Sequence, residues 1–595
     1  MMYFLRIHTR EFFALILFLM VLTPSMVYGS VDDSGTTPIE LNQNNSPSGL
    51  QKAMQENRLL SRMYPLLFRD ESEQNLPNSK LNYDKWNGKK IGKINIVSID
   101  VFSPENVDSG LVKNAVDLGN YLHPSTRKRI IKDMLFFSEG DTLVVGILEK
   151  NIQYLYDQDS FSEVSFVLDE MENGDVEITV MVRDKFFLQF GGKYINRDNF
   201  NVKITDRNLF GTGLSLKNSW NVDPQNQGSI DWESSFTNPN ILGTFFRGDV
   251  SWKDIHGLEE LYLEIHRPFL HPLYKRAGGI DFTKTNTSPP RDTTRVKKQE
   301  TGLWFARSFD FWDYPRNSYA ALSLEHTLYK KRPITEPING MPWQESIFAL
   351  GSLAITKNNY GYLPRISSFL DNDYLPIGYL VELYGGYEFG EYKHRPFVGL
   401  HSAWSLFPSK DQYLFINSIV EGFVHDGAAE QAVVAIEPMY ISQSKSIGQV
   451  KGRSFIRAKY VHGYNRLATE SLSLNSDLLY RGNQDLQGTR LYFLSLEEDL
   501  SLPISLWGFQ LTAFGFVEVA VMDDSRFDSQ TRESLFSEGM GVRLRNPSLI
   551  WDFIELFVSL DHLSSKSSVN IELNLKRAFS IEDFKGRRPQ RYKFQ

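Results

Sequence analysis

The feature that most constrains this fold is an alternation of apolar and polar residues, with a period of two, that runs from about residue 186 to residue 579. Segments 381–389, 510–521 and 569–575 show it clearly. Because successive side chains of a β-strand point to opposite faces, each segment predicts a strand with one apolar face and one mixed or polar face. The pattern predicts a β structure over most of the chain.

The N-terminus helps to decide between a soluble β protein and a membrane barrel. Arg6 and Arg10 precede an apolar run at 12–22, and small residues follow up to Gly29. This pattern predicts a secretory signal peptide over residues 1–29, because the run is too short to span a bilayer as a helix. No later run is long enough for a helical span, so an exported chain that enters a membrane must do so as a closed barrel. A soluble sandwich or propeller, which also alternates, is the weaker alternative.

Composition excludes other classes of protein. The 595 residues include no Cys, which excludes a disulfide scaffold and thiolate zinc sites. The formal charge of −8 argues against a dedicated nucleic-acid binder, and the 13% aromatic content suits the two aromatic girdles of a membrane barrel. We predict a transmembrane antiparallel β-barrel over residues 185–579, with about sixteen strands at about 25 residues per strand and connection. Additional alternating runs, such as those within 410–445, are either loop hairpins or a sign that the strand number is larger.

A small α/β module is predicted before the barrel. Residues 30–89 indicate a flexible linker, and residues 90–184 predict the order β-α-α-β-β. Ser125 is placed to cap the first helix, which Gly140 would end. Asn173 and Gly174 predict a tight hairpin between the last two strands.

The sequence shows no enzymatic constellation. It contains no metalloprotease, nucleophile-elbow, phosphate-loop or dinucleotide-binding pattern. His256, His266 and His271 are interpreted as strand and turn residues rather than metal ligands. We therefore predict no catalytic residues, no metal and no cofactor, with an outer-membrane hydrolase built from scattered residues as a minor alternative.

The order of these parts resembles the BamA/TamA-type superfamily of outer-membrane assembly and translocation barrels, also called the bacterial surface antigen family. The module is similar to a POTRA domain in the Gly140-Asp141 turn before the second helix and in Phe161, which opens the second strand. The hairpin at Asn173 and Gly174 belongs to the same module. The resemblance implies a single periplasmic POTRA-like domain, where the central assembly factor carries several.

Three barrel segments carry the rest of the resemblance. Asn208, Gly211 and Gly213 match the segment at the start of these barrels, and 267–279 resembles their arginine-proline turn. Near the end, 537–562 resembles a glycine-x-glycine-x-arginine strand with its following turn and strand. The matching positions of that last segment are Gly539, Gly541 and Arg543.

Arg481 and Gly482 resemble the arginine-glycine motif of the inward-folded sixth loop, and five strand-like segments follow them. By alternation Glu518 points into the lumen. Since a buried guanidinium needs an acceptor and a carboxylate matches its geometry, we predict an Arg481–Glu518 pair that locks the loop to the wall. Glu538 is the second-choice acceptor, and a solvated loop arginine is the alternative.

The resemblance implies a bacterial outer-membrane barrel that assists insertion of outer-membrane proteins or translocation of polypeptide. Unfolded outer-membrane or secreted chains, outer-membrane lipid and periplasmic accessory proteins are its expected partners, with no nucleic acid. The POTRA-like domain would receive substrate by strand addition. A seam between the first strand (186–196, with Gly191 and Gly192) and the last strand (569–579) would assist insertion. The alternatives are a two-partner-type secretion pore and, ranked last, a passive diffusion channel.

The chain continues past the predicted last strand as a basic tail, residues 580–595. The tail is expected either to contact anionic headgroups or a periplasmic partner, or to be a solvated end.

Overall fold

The structure is a computed structural model, and it describes residues 83–99 and 123–594 apart from short gaps. The gaps fall at residues 159, 186, 197–198, 223–229, 256, 270–273, 288–294, 310–315, 333–342, 365–371, 468, 475–479, 482–485, 507–508, 526–530, 546–553, 564–565, 575–583, 585 and 587. The predicted signal peptide and most of the predicted linker lie outside the described residues. Within the described part of the chain, no helix is both long and apolar enough to cross a membrane.

In its described residues, the N-terminal module is a three-stranded sheet with two helices. Its elements are β1 (Ile91–Ile99), α1 (Lys128–Lys132), α2 (Val145–Asp157), β2 (Phe161–Glu170) and β3 (Val176–Asp184). The strand order is β1-β3-β2, in which β3 runs parallel to β1 and antiparallel to β2. This element order matches the predicted β-α-α-β-β order.

Two boundaries of the module differ from the prediction. A 3₁₀ turn at Tyr83–Trp86 places Trp86 in the module core, so the end of the predicted linker belongs to the module. Arg127 precedes α1 as its N-cap, and Ser125 does not cap the helix. The helix ends at Lys132 rather than at Gly140, because the chain leaves the helical path while Met134 and Leu135 stay buried in the module core.

The module core follows from the alternation of β3. Its buried residues, from Val176 to Val182, face the helices, and Leu148 and Leu155 of α2 are fully buried against them. Gly174 has a φ of +82°, the left-handed conformation that the predicted hairpin between β2 and β3 requires. The module therefore has its own hydrophobic core.

The barrel is built from twenty strands in the part of the chain that the structure describes. They are β4 (Leu188–Asn196), β5 (Asn199–Asp206), β6 (Ser215–Val222), β7 (Ile230–Asn238), β8 (Arg247–Ile255), β9 (Leu258–Arg267), β10 (Arg276–Thr287), β11 (Val296–Phe309), β12 (Arg316–Lys331), β13 (Ser346–Pro364), β14 (Asn372–Gly390), β15 (His394–Leu406), β16 (Tyr413–His425), β17 (Ala428–Ile441), β19 (Val450–Tyr464), β22 (Arg490–Leu506), β23 (Phe509–Asp524), β24 (Thr531–Arg545), β25 (Ile554–Leu563) and β26 (Lys566–Asn574). Three short strands accompany them: β18 (Lys445–Ile447) pairs with β19, whereas β20 (Leu472–Ser473) pairs with β21 (Gln487–Gly488).

The prediction of about sixteen strands was wrong. Strands β4 to β9 have only 8 to 10 residues each, so they use less chain than the average that the prediction assumed. The runs within 410–445 are the wall strands β16 and β17 rather than loop hairpins. Five wall strands follow the predicted sixth loop, as expected.

The sheet closes on itself and each wall strand neighbours the next in sequence, with the first strand, β4, beside the last, β26. The predicted alternation sets which side chains face outward. Leu383 is 55% exposed on the outer face, while its neighbour Glu382 is 2% exposed inside the barrel. In β26, Val569 likewise faces outward, at 67% exposure, and Glu572 faces inward, at 1%. We call the end of the barrel nearest the module the module end, and the opposite end the far end.

Candidate functional site

The connection between β19 and β22 starts at the far end and folds into the lumen. Its short strands β20 and β21 form a hairpin, and Leu474, Tyr480 and Leu486 are buried against the wall. Apolar burial of these three side chains holds the connection inside the barrel. We call this connection, residues 465–489, the luminal loop.

Arg481 lies in the luminal loop and is 6% exposed. The structure places its guanidinium 2.6 Å from Glu497 and 3.8 Å from Glu518, the predicted acceptor. The main-chain N–H of Arg481 donates to Glu518 at 3.2 Å. Glu518 thus contacts the loop mainly through the backbone, and the closer ion-pair partner is Glu497, which the sequence analysis missed.

Glu497 forms ion pairs with three arginines, on three different parts of the chain. Arg457 of β19 and Arg543 of β24 each lie 2.9 Å from it, and Arg481 completes the set. Arg457, 1% exposed, also donates to Ser495 at 3.0 Å. One carboxylate therefore ties the luminal loop to wall strands on both sides of β22.

Arg543, singled out from the sequence without a role, extends this network. Its guanidinium donates to Asp499 and, at 2.6 Å, to Glu555 in addition to Glu497. The guanidinium carbon also lies 4.6 Å from the Phe514 ring centre. A planar guanidinium with several fixed donors suits such a bridging position better than a lysine would.

Gly539 and Gly541 make room for the aromatic rings beside the arginines. A Cβ on Gly539 would lie 2.5 Å from the ring of Phe516, and one on Gly541 would lie 2.5 Å from Cβ of Phe557. The Phe516 ring centre lies 5.1 Å from the guanidinium carbon of Arg481. Gly539 thus allows close packing of a ring that the Arg481 guanidinium contacts, and Gly541 allows the close approach of Phe557, whose ring centre lies 5.7 Å from that of Phe516.

Three guanidiniums and four carboxylates form the buried luminal network: Arg457, Arg481, Arg543, Glu497, Asp499, Glu518 and Glu555. Ion pairs of this kind, withdrawn from water, are costly to break because the remaining charge stays buried without a partner. The network therefore favours one position of the luminal loop.

A second contact anchors the loop next to the network. The Tyr480 hydroxyl lies 3.4 Å from Asp561, which also accepts from Ser537 at 2.6 Å and from Asn570 at 2.8 Å. The second-choice acceptor, Glu538, points outward and is half exposed, because it occupies the other face of β24. Gly482 lies outside the described residues.

The turn between β5 and β6 attaches the module to the barrel through Asn208. Its Oδ1 accepts the Gly213 N–H at 2.8 Å, and its Nδ2 donates to the Thr126 hydroxyl at 2.8 Å. Gly211 has a φ of +71°, and a Cβ there would overlap the carbonyl oxygen of Ser125. The residues predicted from the barrel-start motif are therefore placed where the module meets the wall.

The next turn at the module end repeats this arrangement. Asn240 accepts the Phe245 N–H at 2.6 Å and donates to the Asp133 carbonyl at 2.8 Å, and Gly243 has a φ of +72°. The sequence analysis missed this turn. The signal was available, because residues 208–213 read NLFGTG and residues 240–245 read NILGTF.

Aromatic packing adds a third turn to the contact. Phe245 belongs to the module core, and its ring centre lies 5.4 Å from those of Phe136 and Tyr274. Arg267, in the predicted arginine-proline turn, lies 5.2 Å from the Phe246 ring centre. Three successive turns thus hold the module at this end of the barrel.

The predicted module residues lie in its turns and core. Gly140 has a φ of +96°, and Asp141 accepts the Ser138 N–H at 2.7 Å. Phe161, 1% exposed, opens β2 in the module core. Asn173 donates to Asp175 across the β2–β3 hairpin at 2.8 Å.

One group of possible metal ligands lies in the lumen. Asp249, Glu264 and His266 bring ligand atoms within 4.8 Å of one another. Arg247 already donates twice to Asp249, at 2.8 and 3.0 Å, and the Tyr262 hydroxyl donates to Glu264 at 2.8 Å. These protein partners account for the two carboxylates. The other two histidines considered from the sequence lie outside the described residues.

Comparison with known proteins gives a likeness to solved structures alone. No protein-family model matches the sequence, and no curated protein matches it. Among solved structures, the chain is similar to BamA from Haemophilus ducreyi lacking POTRA domains 1-3, at 12% identity and a TM-score of 0.31, over 82% of this chain and 83% of that one.

The chain is also similar to two CdiB structures. The one from Acinetobacter baumannii matches at 11% identity and a TM-score of 0.39, over 82% of this chain and 74% of that one. The one from Escherichia coli matches at 11% identity and a TM-score of 0.34, over 88% and 96%. The TM-scores of all three matches are below 0.5, so these matches carry no conclusion about the role of this chain.

Proposed function

We propose that this chain is an outer-membrane barrel that receives unfolded polypeptide at its N-terminal module and assists its insertion into, or translocation across, the outer membrane. The observation that carries the proposal is the attachment of the module to the barrel with the β2 edge of its sheet free of any neighbouring described strand. Among the described residues, β2 pairs only with β3, and no strand covers its other edge, where the Phe166 carbonyl accepts from the Tyr83 hydroxyl at 3.0 Å. Such an edge can bind an extended peptide by main-chain hydrogen bonds with little demand on sequence.

The open edge leads to the barrel. Ser160, just before β2, donates to the Arg207 carbonyl in the first attachment turn at 3.4 Å, and its own carbonyl accepts the Lys185 N–H at 2.8 Å. A strand added along β2 would therefore end beside the barrel wall. This geometry supports the proposed POTRA-like role of the module.

The outer surface of the wall supports the membrane location. Leu322, Leu353 and Val569 are each at least 65% exposed on the outward face, whereas the lumen holds the charged network. A closed barrel with this distribution satisfies all its backbone hydrogen bonds in lipid. We place the module in the periplasm, on the side from which exported chains arrive, and the proposed role needs no catalytic site, metal or cofactor.

The test is site-specific photocrosslinking from the module in intact cells. A photoreactive residue at Val167, 42% exposed on β2, should capture unfolded outer-membrane or secreted chains. The matched control is Val97, 41% exposed on β1. Equal capture at both positions, or none at either, would contradict substrate binding at β2.

The identity of the captured chains separates the candidate functions. Many outer-membrane proteins would favour insertion, and one large exoprotein would favour the two-partner-type secretion pore. Sharp solute selectivity without any captured chain would favour a diffusion channel, which the luminal loop and its network make the weakest candidate.

A further inference from the structure

The described residues of the C-terminal tail lie inside the barrel. Phe584, 1% exposed, is held near the module end, where its carbonyl accepts from the Thr356 hydroxyl and its N–H donates to Asn358 at 3.4 Å. Both partners project inward from β13, and the Phe584 ring centre lies 6.2 Å from that of Phe415. The tail thus enters the lumen rather than remaining a solvated end or reaching headgroups.

Midway along the lumen, the tail is held by charge. Arg588 forms ion pairs with Asp281 of β10 and, at 2.8 Å, with Glu325 of β12. The Pro589 carbonyl accepts from the Ser323 hydroxyl at 3.3 Å. Two luminal carboxylates on separate strands therefore select a guanidinium at this position.

At the far end, the tail meets β16 and the start of the luminal loop. The Tyr592 N–H donates to Glu421 at 2.5 Å. The Arg591 guanidinium carbon lies 5.7 Å from the Phe423 ring centre, and the Arg466 guanidinium carbon lies 3.8 Å from the Phe594 ring centre. These contacts combine backbone, cation–π and aromatic recognition.

The path from Phe584 to Phe594 crosses the lumen from one end to the other. Ten extended steps can span at most about 33–36 Å, which matches the hydrocarbon thickness that a barrel crosses. The segment therefore occupies the route that a solute or an extended polypeptide would take.

The wall and the tail fit each other through glycines. A Cβ on Gly463 of β19 would lie 2.6 Å from Cζ of Phe594, and a Cβ on Gly302 of β11 would overlap the Arg588 guanidinium. Within the tail, a Cβ on Gly586 would lie 2.5 Å from the Phe269 ring. At these three positions along the lumen, a glycine of the wall or of the tail leaves room for a side chain of the other.

We propose that the lumen contains a binding track for an extended basic and aromatic peptide, and that residues 584–594 are its intramolecular occupant and close the lumen. The track consists of the Thr356 and Asn358 side chains, which bind the Phe584 backbone, the Asp281 and Glu325 carboxylates around Arg588, and the site at Gly463 and Arg466 that holds the Phe594 ring. This inference does not depend on the proposed function, because an inserted tail closes the lumen to any cargo.

The experiment measures ion conductance of single barrels in planar bilayers. A variant lacking residues 580–595 should conduct about threefold more than the full chain, or higher still, because water replaces the tail along the lumen. Full-length Arg588→Glu should show an increase in the same direction. Lys445→Glu makes the same charge-reversing change at an exposed position of β18, outside the tail, and should leave conductance unchanged.

Adding the tail back as a synthetic peptide tests the track itself. The peptide of residues 580–595 should return the truncated barrel to the conductance of the full chain, and the same peptide carrying Arg588→Glu should not. Unchanged SDS-gel mobility of unheated barrel confirms folding. The proposal is overturned if the folded truncated barrel has the same conductance as the full chain. If the truncated barrel does not fold, an Arg588→Glu barrel with the conductance of the full chain overturns it instead.

Discussion

Glu497 and Glu518 test whether contact geometry or the number of charges holds the luminal loop. Both carboxylates are buried, at 3% and 2% exposure. Changing either to glutamine removes one negative charge with almost no change of shape, which leaves three cations and three anions in the luminal network. By charge number alone, the two variants should be equally stable.

Contact geometry predicts a clear difference. Glu497 lies 2.6 to 2.9 Å from three guanidiniums, whereas the guanidinium of Arg481 is 3.8 Å from Glu518, which accepts from one backbone N–H and from Ser495 at 3.3 Å. Breaking a buried ion pair costs about 3–5 kcal/mol, and losing a hydrogen bond to a charged group costs about 1.5–3 kcal/mol. We expect Glu497→Gln to lower the free energy of unfolding by about 3–5 kcal/mol, and Glu518→Gln by about 1.5–3 kcal/mol.

The assay is urea unfolding of the full chain in lipid vesicles, followed by tryptophan fluorescence. Loop position is read separately from thiol labelling of Leu474→Cys, since Leu474 is fully buried and the chain has no cysteine of its own. Thiol labelling of Leu474→Cys should be faster when it is combined with Glu497→Gln than when it is combined with Glu518→Gln. Glu538→Gln, on the outward face of β24, is the control. A Glu518→Gln variant as unstable as Glu497→Gln, or more so, would refute the geometric argument.

Shorter tests address other side chains. Asn208→Ala should destabilise the attached module by about 1–3 kcal/mol, seen as faster proteolysis of the module while the barrel stays folded; unchanged proteolysis would contradict its attachment role. Gly539→Ala should lower the unfolding temperature on heated gels, and Gly515→Ala, whose added Cβ would meet only ordinary contacts, should not. Glu391 lies in a loop beyond β14, and hydrogen bonds from Arg332 lower its pKa to about 2. The stabilisation from this ion pair is therefore fully present above the ordinary carboxylate pKa and is lost as the pH falls through about 2. Arg332→Gln should raise that pKa toward about 4.3 in an NMR titration, and no shift would contradict the pairing.

Alternation predicted the wall well, because the face of each strand is a local property of the sequence. Glu382 and Glu518 point inward, and Leu383 points outward, as their positions in the pattern require. Strand number was harder to predict, since it depends on how much chain each turn uses. The short strands β4 to β9 take less chain than the long strands such as β13 and β14, which have 19 residues each.

The partners inside the lumen could not be predicted from alternation alone. Many carboxylates point inward, and the path of the luminal loop decides which of them meets Arg481; the sequence pattern favoured Glu518, and the loop comes closest to Glu497. The position of Arg588 could not be predicted either, because a basic tail can bind lipid headgroups, a partner protein or the carboxylates of a barrel lumen. Asn240 was the avoidable omission, since its turn repeats the one at Asn208.

The inserted tail changes the end of the barrel at which the chain finishes. Because the described wall has an even number of strands, twenty, the last strand, β26, finishes at the module end, where β4 began. The tail then crosses the lumen, and Phe594 lies beside Gly463 at the far end of β19. With the module in the periplasm, as proposed above, a short epitope fused after the last residue would emerge at the cell surface. A bulky folded fusion could not follow the tail through the lumen and would trap it outside its track. The module and the last described residues of the tail thus lie at opposite ends of one barrel.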